Sequence, residues 1–256
     1  MKPASFELAR PTSVAEAVTL LRDGARVLAG GQSLGPMLNL RLAQPATLVQ
    51  VNRLPELCGV ASDADGVTIG ACVTHAAIAD GLVPGIGNGV LARVADNIAY
   101  RAVRNRGTIG GSLCHADPAA DWVSVLTVLD ATVLLRGPDG ERSLSVADFI
   151  QGAFRTALAP GEILFAVHIP CLPPGARWGY EKACRKPGDF AHAMAAVLLH
   201  GTTRRAVIGA LGGKPLLLQD DLASVEGATS ALQDLDPVAR HMQLTVLRRA
   251  LAKAGA

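Results

Sequence analysis

Between Arg104 and Asp121 the chain reads RNRGTIGGSLCHADPAAD, with a hydroxyl at Thr108, adjacent glycines at Gly110 and Gly111, a second hydroxyl at Ser112 and a carboxylate at Asp121. Adjacent glycines have no Cβ and tolerate φ > 0, so a backbone can bend until successive N–H groups converge on one anion. Hydroxyls add donors for phosphate oxygens. A carboxylate only accepts, and suits the sugar or ribityl hydroxyls of a nucleotide cofactor. A second segment of this kind, AGGQS at Ala29 to Ser33, lies upstream, with Gly30 and Gly31 again followed closely by Ser33. Two such cradles predict a diphosphate gripped from two sides.

The elements that must position these groups follow from spacing. Ser13 and Glu16 form a capping-box pair ahead of Val14, Ala17, Val18, Leu20 and Leu21, which predicts an amphipathic helix ended by Gly24. Ala25 to Ala29 reads as a short buried strand running into the first glycine segment, Ser33 to Leu42 as a short helix and Thr47 to Val51 as a strand. Leu54 to Ala61 and Val67 to Ala71 read as strands around an Asp-Gly turn, Val73 to Ile78 as a helix start and Gly81 to Gly89 as irregular. Val90 to Val103 reads as one helix that delivers the chain to Arg104, and Trp122 to Leu129 as another. Val133 to Leu135 and Arg142 to Leu144 form a hairpin, Asp148 to Phe154 a short helix and Glu162 to Ile169 a strand. The Pro-rich stretch Pro170 to Gly175 reads as a linker. Beyond it come strands at Ala193 to His200 and Ala206 to Leu211, then helices at Leu222 to Leu232 and Pro237 to Ala254.

AGGQS, TIGGS, the trailing HADPAAD and the later GYEKACRKPGDFA, in that order, resemble the FAD-binding (medium) subunit of molybdenum hydroxylases, the carbon monoxide dehydrogenase and xanthine dehydrogenase family. The resemblance runs from the N-terminus to about Gly213. It implies an α+β protein: a two-subdomain FAD-binding (PCMH-type) α/β fold over residues 1–55 and 56–172, followed by a small C-terminal domain of antiparallel strands and helices at 176–256. That last region is shorter than in the family, and no clear Ser-x-x-Tyr-Arg stretch precedes Leu247.

The resemblance further implies that FAD meets Ala29, Gly30, Gly31, Gln32, Ser33 and Leu34 on one side, and Thr108, Ile109, Gly110, Gly111 and Ser112 on the other. Asp121 would meet FAD hydroxyls, Lys182 the flavin edge, Tyr180 the ring, and Ile98 and Leu164 its apolar flanks. Each position has a plainer reading from the residues alone. Asp121 could cap the helix that follows it, Lys182 could be a surface lysine, Gln32 a cap, and Ile98 and Leu164 ordinary core. Arg104 and Arg106 could reach phosphates or pair with carboxylates at a partner surface.

The implied role is electron transfer, from a [2Fe-2S] cluster on a small partner subunit, through FAD, to an external acceptor such as NAD, a quinone or oxygen. The molybdenum cofactor and the hydroxylation itself would belong to a large partner subunit. The alternative is a stand-alone FAD-dependent oxidoreductase of the same fold, which would need its own acid–base group. His115 lacks a nucleophile context for that work. The spacing also excludes rivals. G-x-G-x-x-G is absent, and Pro36 and Met37 stand where a Walker A loop requires Lys and Ser/Thr.

Composition narrows the rest. At 256 residues the chain can bury a full core. A formal net charge of +2 gives no basic excess for nucleic acid or an anionic membrane. No apolar run reaches the roughly 18 residues of a membrane span, and no signal pattern opens the chain, which predicts a soluble cytoplasmic protein. Cys58, Cys72, Cys114, Cys171 and Cys184 form no C-x-x-C pair, so metal centres are expected on partners only.

Overall fold

A computed structural model describes residues 2–21, 24–84 and 89–255. Its first part comprises β1 (Glu7–Ala9), α1 (Val14–Leu20), β2 (Arg26–Leu28), α2 (Leu34–Asn39) and β3 (Thr47–Gln50). The strands form a parallel sheet ordered β1-β3-β2, with Leu8 opposite Leu48 and Val27 opposite Val49. Parallel neighbours need crossovers, and α1 and α2 lie in them. Ser13 caps α1, its Oγ accepting from the Glu16 amide at 3.1 Å. Glu16 returns the bond to the Thr12 amide at 2.7 Å rather than to Ser13.

The second part runs through α3 (Pro55–Cys58), β4 (Val60–Ser62), β5 (Gly66–Gly70), α4 (His75–Ala79), α5 (Val90–Asp96), α6 (Arg101–Arg104), α7 (Ile109–His115) and α8 (Asp121–Val128). It continues with β6 (Thr132–Gly137), β7 (Gly140–Ser145), α9 (Val146–Phe149), the hairpin β8 (Ile150–Gly152) and β9 (Arg155–Thr156), and β10 (Ile163–Pro170). Its antiparallel sheet has the order β4-β5-β10-β6-β7.

The third part is an antiparallel sheet of β11 (Arg177–Ala183), β12 (Ala193–His200), β13 (Thr203–Gly209) and β14 (Leu216–Gln219), closed by α10 (Val225–Ala231) and α11 (Pro237–Lys253). Strand alternation divides its two faces. Ala193, Ala195 and Val197 pack with Leu247 and Ala250 of α11. Ala196 and Val207 instead join the main core around α8. Every residue of α8 is therefore buried, Asp121 included. A helix buried all round is the axle between the second and third sheets.

Several expectations give way to local physics. Leu54 to Ala61 is not one strand: Pro55, fixed in φ, sits at the first helical position and starts α3, and only Val60 to Ser62 pair as strand. Val90 to Val103 is not one helix either. It breaks between α5 and α6, where Ala99 takes a left-handed φ of 45°. The expected helix at Asp148 to Phe154 stops at Phe149 and becomes the β8–β9 hairpin, with Phe154 at φ 55°. TIGGS, read as a loop, is the first turn of α7. Strands β1, β11 and β14 were not anticipated. Of the stretch expected to be irregular, residues 85–88 lie outside the described residues.

Candidate functional site

The first glycine segment leaves the end of β2 and turns straight into α2. Gly31 has φ +72°, a conformation that L side chains rarely adopt. Among the described residues, the backbone N–H groups of Gly30, Gly31, Gln32, Ser33 and Leu34 find no internal acceptor. The first amide of the turn that does is Gly35, bonded to the Gly31 carbonyl at 2.9 Å. The Ser33 hydroxyl accepts no cap bond from a backbone amide and is exposed. Gln32 turns its amide back onto the Gly30 carbonyl at 3.3 Å, which steadies the bend. A row of unsatisfied amides around a left-handed glycine is an anion nest.

The second segment is built differently. Thr108 caps α7, its Oγ1 accepting from the Gly111 amide at 3.1 Å. Ile109 donates to the Val73 carbonyl at 3.1 Å, Gly110 to the Ala71 carbonyl at 2.9 Å, and Ser112 to the Thr108 carbonyl at 3.0 Å. All four amides are therefore satisfied within the protein. Neither glycine has a positive φ. What both positions require is room. A Cβ on Gly110 would lie 2.5 Å from the Ala71 Cβ, and one on Gly111 would lie 2.8 Å from the capping Thr108 hydroxyl.

The two segments interlock. A Cβ on Gly30 would overlap the carbonyl of Arg106, so only glycine lets the turn that leads into the second segment lie against the first. Between them opens a cavity of about 110 Å³ lined by Gly30, Asn52, Thr74, Asn105, Arg106 and Thr108, with the Cys72 thiol in its wall. Burial pushes that thiol up to about 12, so it is a neutral lining group. Beneath the cavity, the Trp122 indole donates to His75 Nδ1 at 3.1 Å. Burial, and then the nearby charge of Arg104, push the His75 imidazole down to about 4, so it stays neutral with its proton on Nε2.

Asp121 is not the helix cap. Ala120 occupies the cap position and Asp121 the first helical one. Its Oδ1 accepts from the Tyr180 hydroxyl at 2.5 Å and from Lys182 Nζ at 2.8 Å. Lys182 also donates to the Asn97 carbonyl at 2.9 Å. Both side chains of the ion pair are 8% exposed, so Lys182 is not a surface lysine. Burial, and then the Asp121 charge, hold the Tyr180 phenol well above its ordinary range.

Ile98 sits on a turn gripped by Arg104. Arg104 Nη1 donates to the carbonyls of Asp96, Ile98 and Ala99 at 3.0–3.1 Å, and Nη2 pairs with the Asp96 carboxylate. The same turn presents the Asn97 carbonyl to Lys182 and pairs Ile98 with Gly188. Arg104 is thus a clamp and not a free phosphate ligand. Leu164 is 3% exposed and packed in the main core with Ala71 and Ile109. His115 lies against Phe154, with ring centroids 5.2 Å apart, and desolvation pushes the half-buried Cys114 thiol up to about 12. No group of three His, Cys, Asp or Glu side chains suited to a metal occurs among the described residues.

The structure thus brings together Gly30, Thr108 and Arg106 at one cavity, and Asp121, Tyr180 and Lys182 in one buried cluster. Asn52 and Thr74 join the cavity from loops distant in sequence, and no pattern of residues in the chain announced them. The buried Asp–Lys pair crosses between α8 and β11, so spacing along the chain carried no trace of it.

An anion nest, facing hydroxyls and a buried carboxylate–lysine pair on an α/β frame define a protein that holds an anionic nucleotide cofactor. The chain belongs to the family described as the FAD binding domain in molybdopterin dehydrogenase, whose model matches residues 4–172. It is 36% identical over 283 aligned residues to the alpha subunit of the 6-hydroxypseudooxynicotine dehydrogenase complex of Paenarthrobacter nicotinovorans, covering 99% of this chain and 96% of that one. It is 39% identical over 202 residues to the carbon monoxide dehydrogenase medium chain of Hydrogenophaga pseudoflava, covering 78% of this chain and 70% of that one. A solved carbon monoxide dehydrogenase from the same organism, lacking the Mo-pyranopterin moiety, superimposes with a TM-score of 0.91 at 32% identity, over 100% of this chain and 99% of its counterpart. The chain is therefore a flavoprotein subunit of the oxidoreductase class.

Proposed function

We infer that this chain is the FAD-binding electron-transfer subunit of a molybdenum-containing hydroxylase. The observation that carries the reading is the row of unsatisfied amides from Gly30 to Leu34, in a chain whose residues 4–172 match the family and which aligns over 99% of its length with one relative. Those amides, with Ser33 and Ser112, would hold the diphosphate. Thr108 would position Gly111 and the cavity wall rather than the anion. When bound, FAD supplies the ability to exchange one or two electrons.

The residues of the chain do the rest. Lys182, buried and held by Asp121 and the Asn97 carbonyl, places a fixed positive charge beside the ring site. Tyr180 fills the space behind it. Arg104 keeps Ile98 against the same region. The division of labour in this reading is a small [2Fe-2S] subunit as donor, a large molybdenum subunit as the site of hydroxylation, and an external acceptor. Residues 1–55 and 56–172 would act as the two cofactor-binding subdomains and 176–256 as the closing domain, in a cytoplasmic complex. Among the described residues no helix is long and apolar enough to cross a membrane.

Purification of the tagged chain from its native host tests this reading. Co-elution of one iron–sulfur chain and one molybdenum-containing chain is expected. A chain that elutes alone and turns over a small substrate with its own flavin would establish the stand-alone oxidoreductase instead.

A further inference from the structure

We propose that Arg106 is the charge-compensating residue of the cradle, binding the anionic bridge of the dinucleotide through its guanidinium. The proposal rests on the FAD reading above and extends it. Amides and hydroxyls offer hydrogen bonds but no net charge, whereas a diphosphate brings formal negative charge into the site. Of the residues lining the 110 Å³ cavity, Arg106 alone is formally charged. Gly30, Asn52, Thr74, Asn105 and Thr108 are neutral, and so is Cys72 as a thiol.

The neighbouring arginines are already committed. Arg101 forms a two-pronged pair with Asp80 at 2.6 and 2.7 Å, and Arg104 clamps the Asp96–Ala99 turn. The side chain of Arg106 is exposed and makes no hydrogen bond or ion pair among the described residues. Its backbone, by contrast, is fixed. Its amide donates to the Val103 carbonyl at 3.1 Å and its own carbonyl lies against Gly30. The guanidinium is therefore carried from a fixed backbone at the edge of the nest, with a planar fork that matches two phosphate oxygens at once. The same interlock that demands glycine at position 30 also fixes the Arg106 backbone against the nest. An exposed guanidinium could instead meet a carboxylate on a partner chain, and the test separates the two.

FAD is titrated into the deflavinated chain at low and high salt, for the wild type, Arg106→Gln and Arg106→Lys, with melting curves as the control for folding. Arg106→Gln is expected to bind FAD on the order of 10- to 100-fold more weakly at low salt, with a flatter salt dependence and an unchanged melting temperature. Arg106→Lys keeps the charge, and should retain most of the salt slope with intermediate affinity. Wild-type affinity and slope in Arg106→Gln, while the wild type itself takes up FAD, would overturn the assignment and leave the FAD reading standing. Failure of the wild type to take up FAD would overturn both.

Discussion

Both glycine segments carry Gly-Gly and a closely following Ser, yet the structure builds them for opposite tasks. In the first, Gly31 takes a left-handed φ and five consecutive amides from Gly30 to Leu34 find no acceptor among the described residues. In the second, the amides of Ile109 to Ser112 are satisfied by Val73, Ala71 and Thr108, and the glycines serve close packing. Identical residue types can therefore be a binding surface in one place and a joint in another. The difference is decided by which other chain segment reaches the amides first. Beside the second segment lies β5 with its continuation to Val73, whereas among the described residues no acceptor reaches the amides of the first.

The comparison predicts that changes on the side of the second segment will be felt by the protein without its cofactor. The largest effect is expected at Asp121, at the start of the helix after that segment. Asp121→Ala leaves Lys182 buried without its counter-charge, and the flavin-free protein should lose about 3–5 kcal/mol in denaturant unfolding. A loss confined to FAD affinity would make Asp121 a ligand only and place it with the first segment.

The next effect is a pH dependence beneath Gly107. A Cβ on Gly107 would lie 2.8 Å from the His75 ring, so the second segment rests directly on that imidazole. The folded state holds His75 down to about 4, against an ordinary 6.5. The unfolded chain therefore takes up the proton first on acidification. The His75 contribution is fully present above pH 6.5 and is lost as the pH falls toward 4, by roughly 3 kcal/mol. Stability curves for the wild type and His75→Gln between pH 7 and 4 check this, and parallel curves would contradict it.

The smallest effects give the sharpest contrast. Thr108→Ala removes a cap and should cost the flavin-free protein about 1 kcal/mol. Ser33→Ala removes a hydroxyl with no cap bond, and should leave that stability within about 0.5 kcal/mol. It should still weaken FAD binding by about 1.5–3 kcal/mol, the worth of a hydrogen bond to a charged group. Equal behaviour of the two variants would erase the distinction between the segments.

Much of this was legible in the sequence because it is local. The Ser13 cap, the paired glycines, the Pro-rich linker and the closing helix at Pro237 all announce themselves within a few residues. What was not legible depends on contacts distant in the chain. The carbonyls of Ala71 and Val73 turn a presumed loop at TIGGS into the first turn of α7. The break at Ala99 is held by Arg104 and Gly188, not by any helix breaker at that position. Asp121 reads as a cap until Lys182 arrives from β11, a strand hidden in what looked only like a motif. For Gly110 and Gly111 the structure gives close packing against Ala71 and Thr108 in place of the bend that their lack of a side chain suggested.

The central claim is that the first segment forms an FAD site in this chain, and titration of the purified, deflavinated protein with FAD tests it most directly. One FAD per chain is expected, bound without a covalent link, giving a yellow protein whose flavin absorption is released by acid. A properly folded protein that stays colourless with FAD in excess would contradict the account.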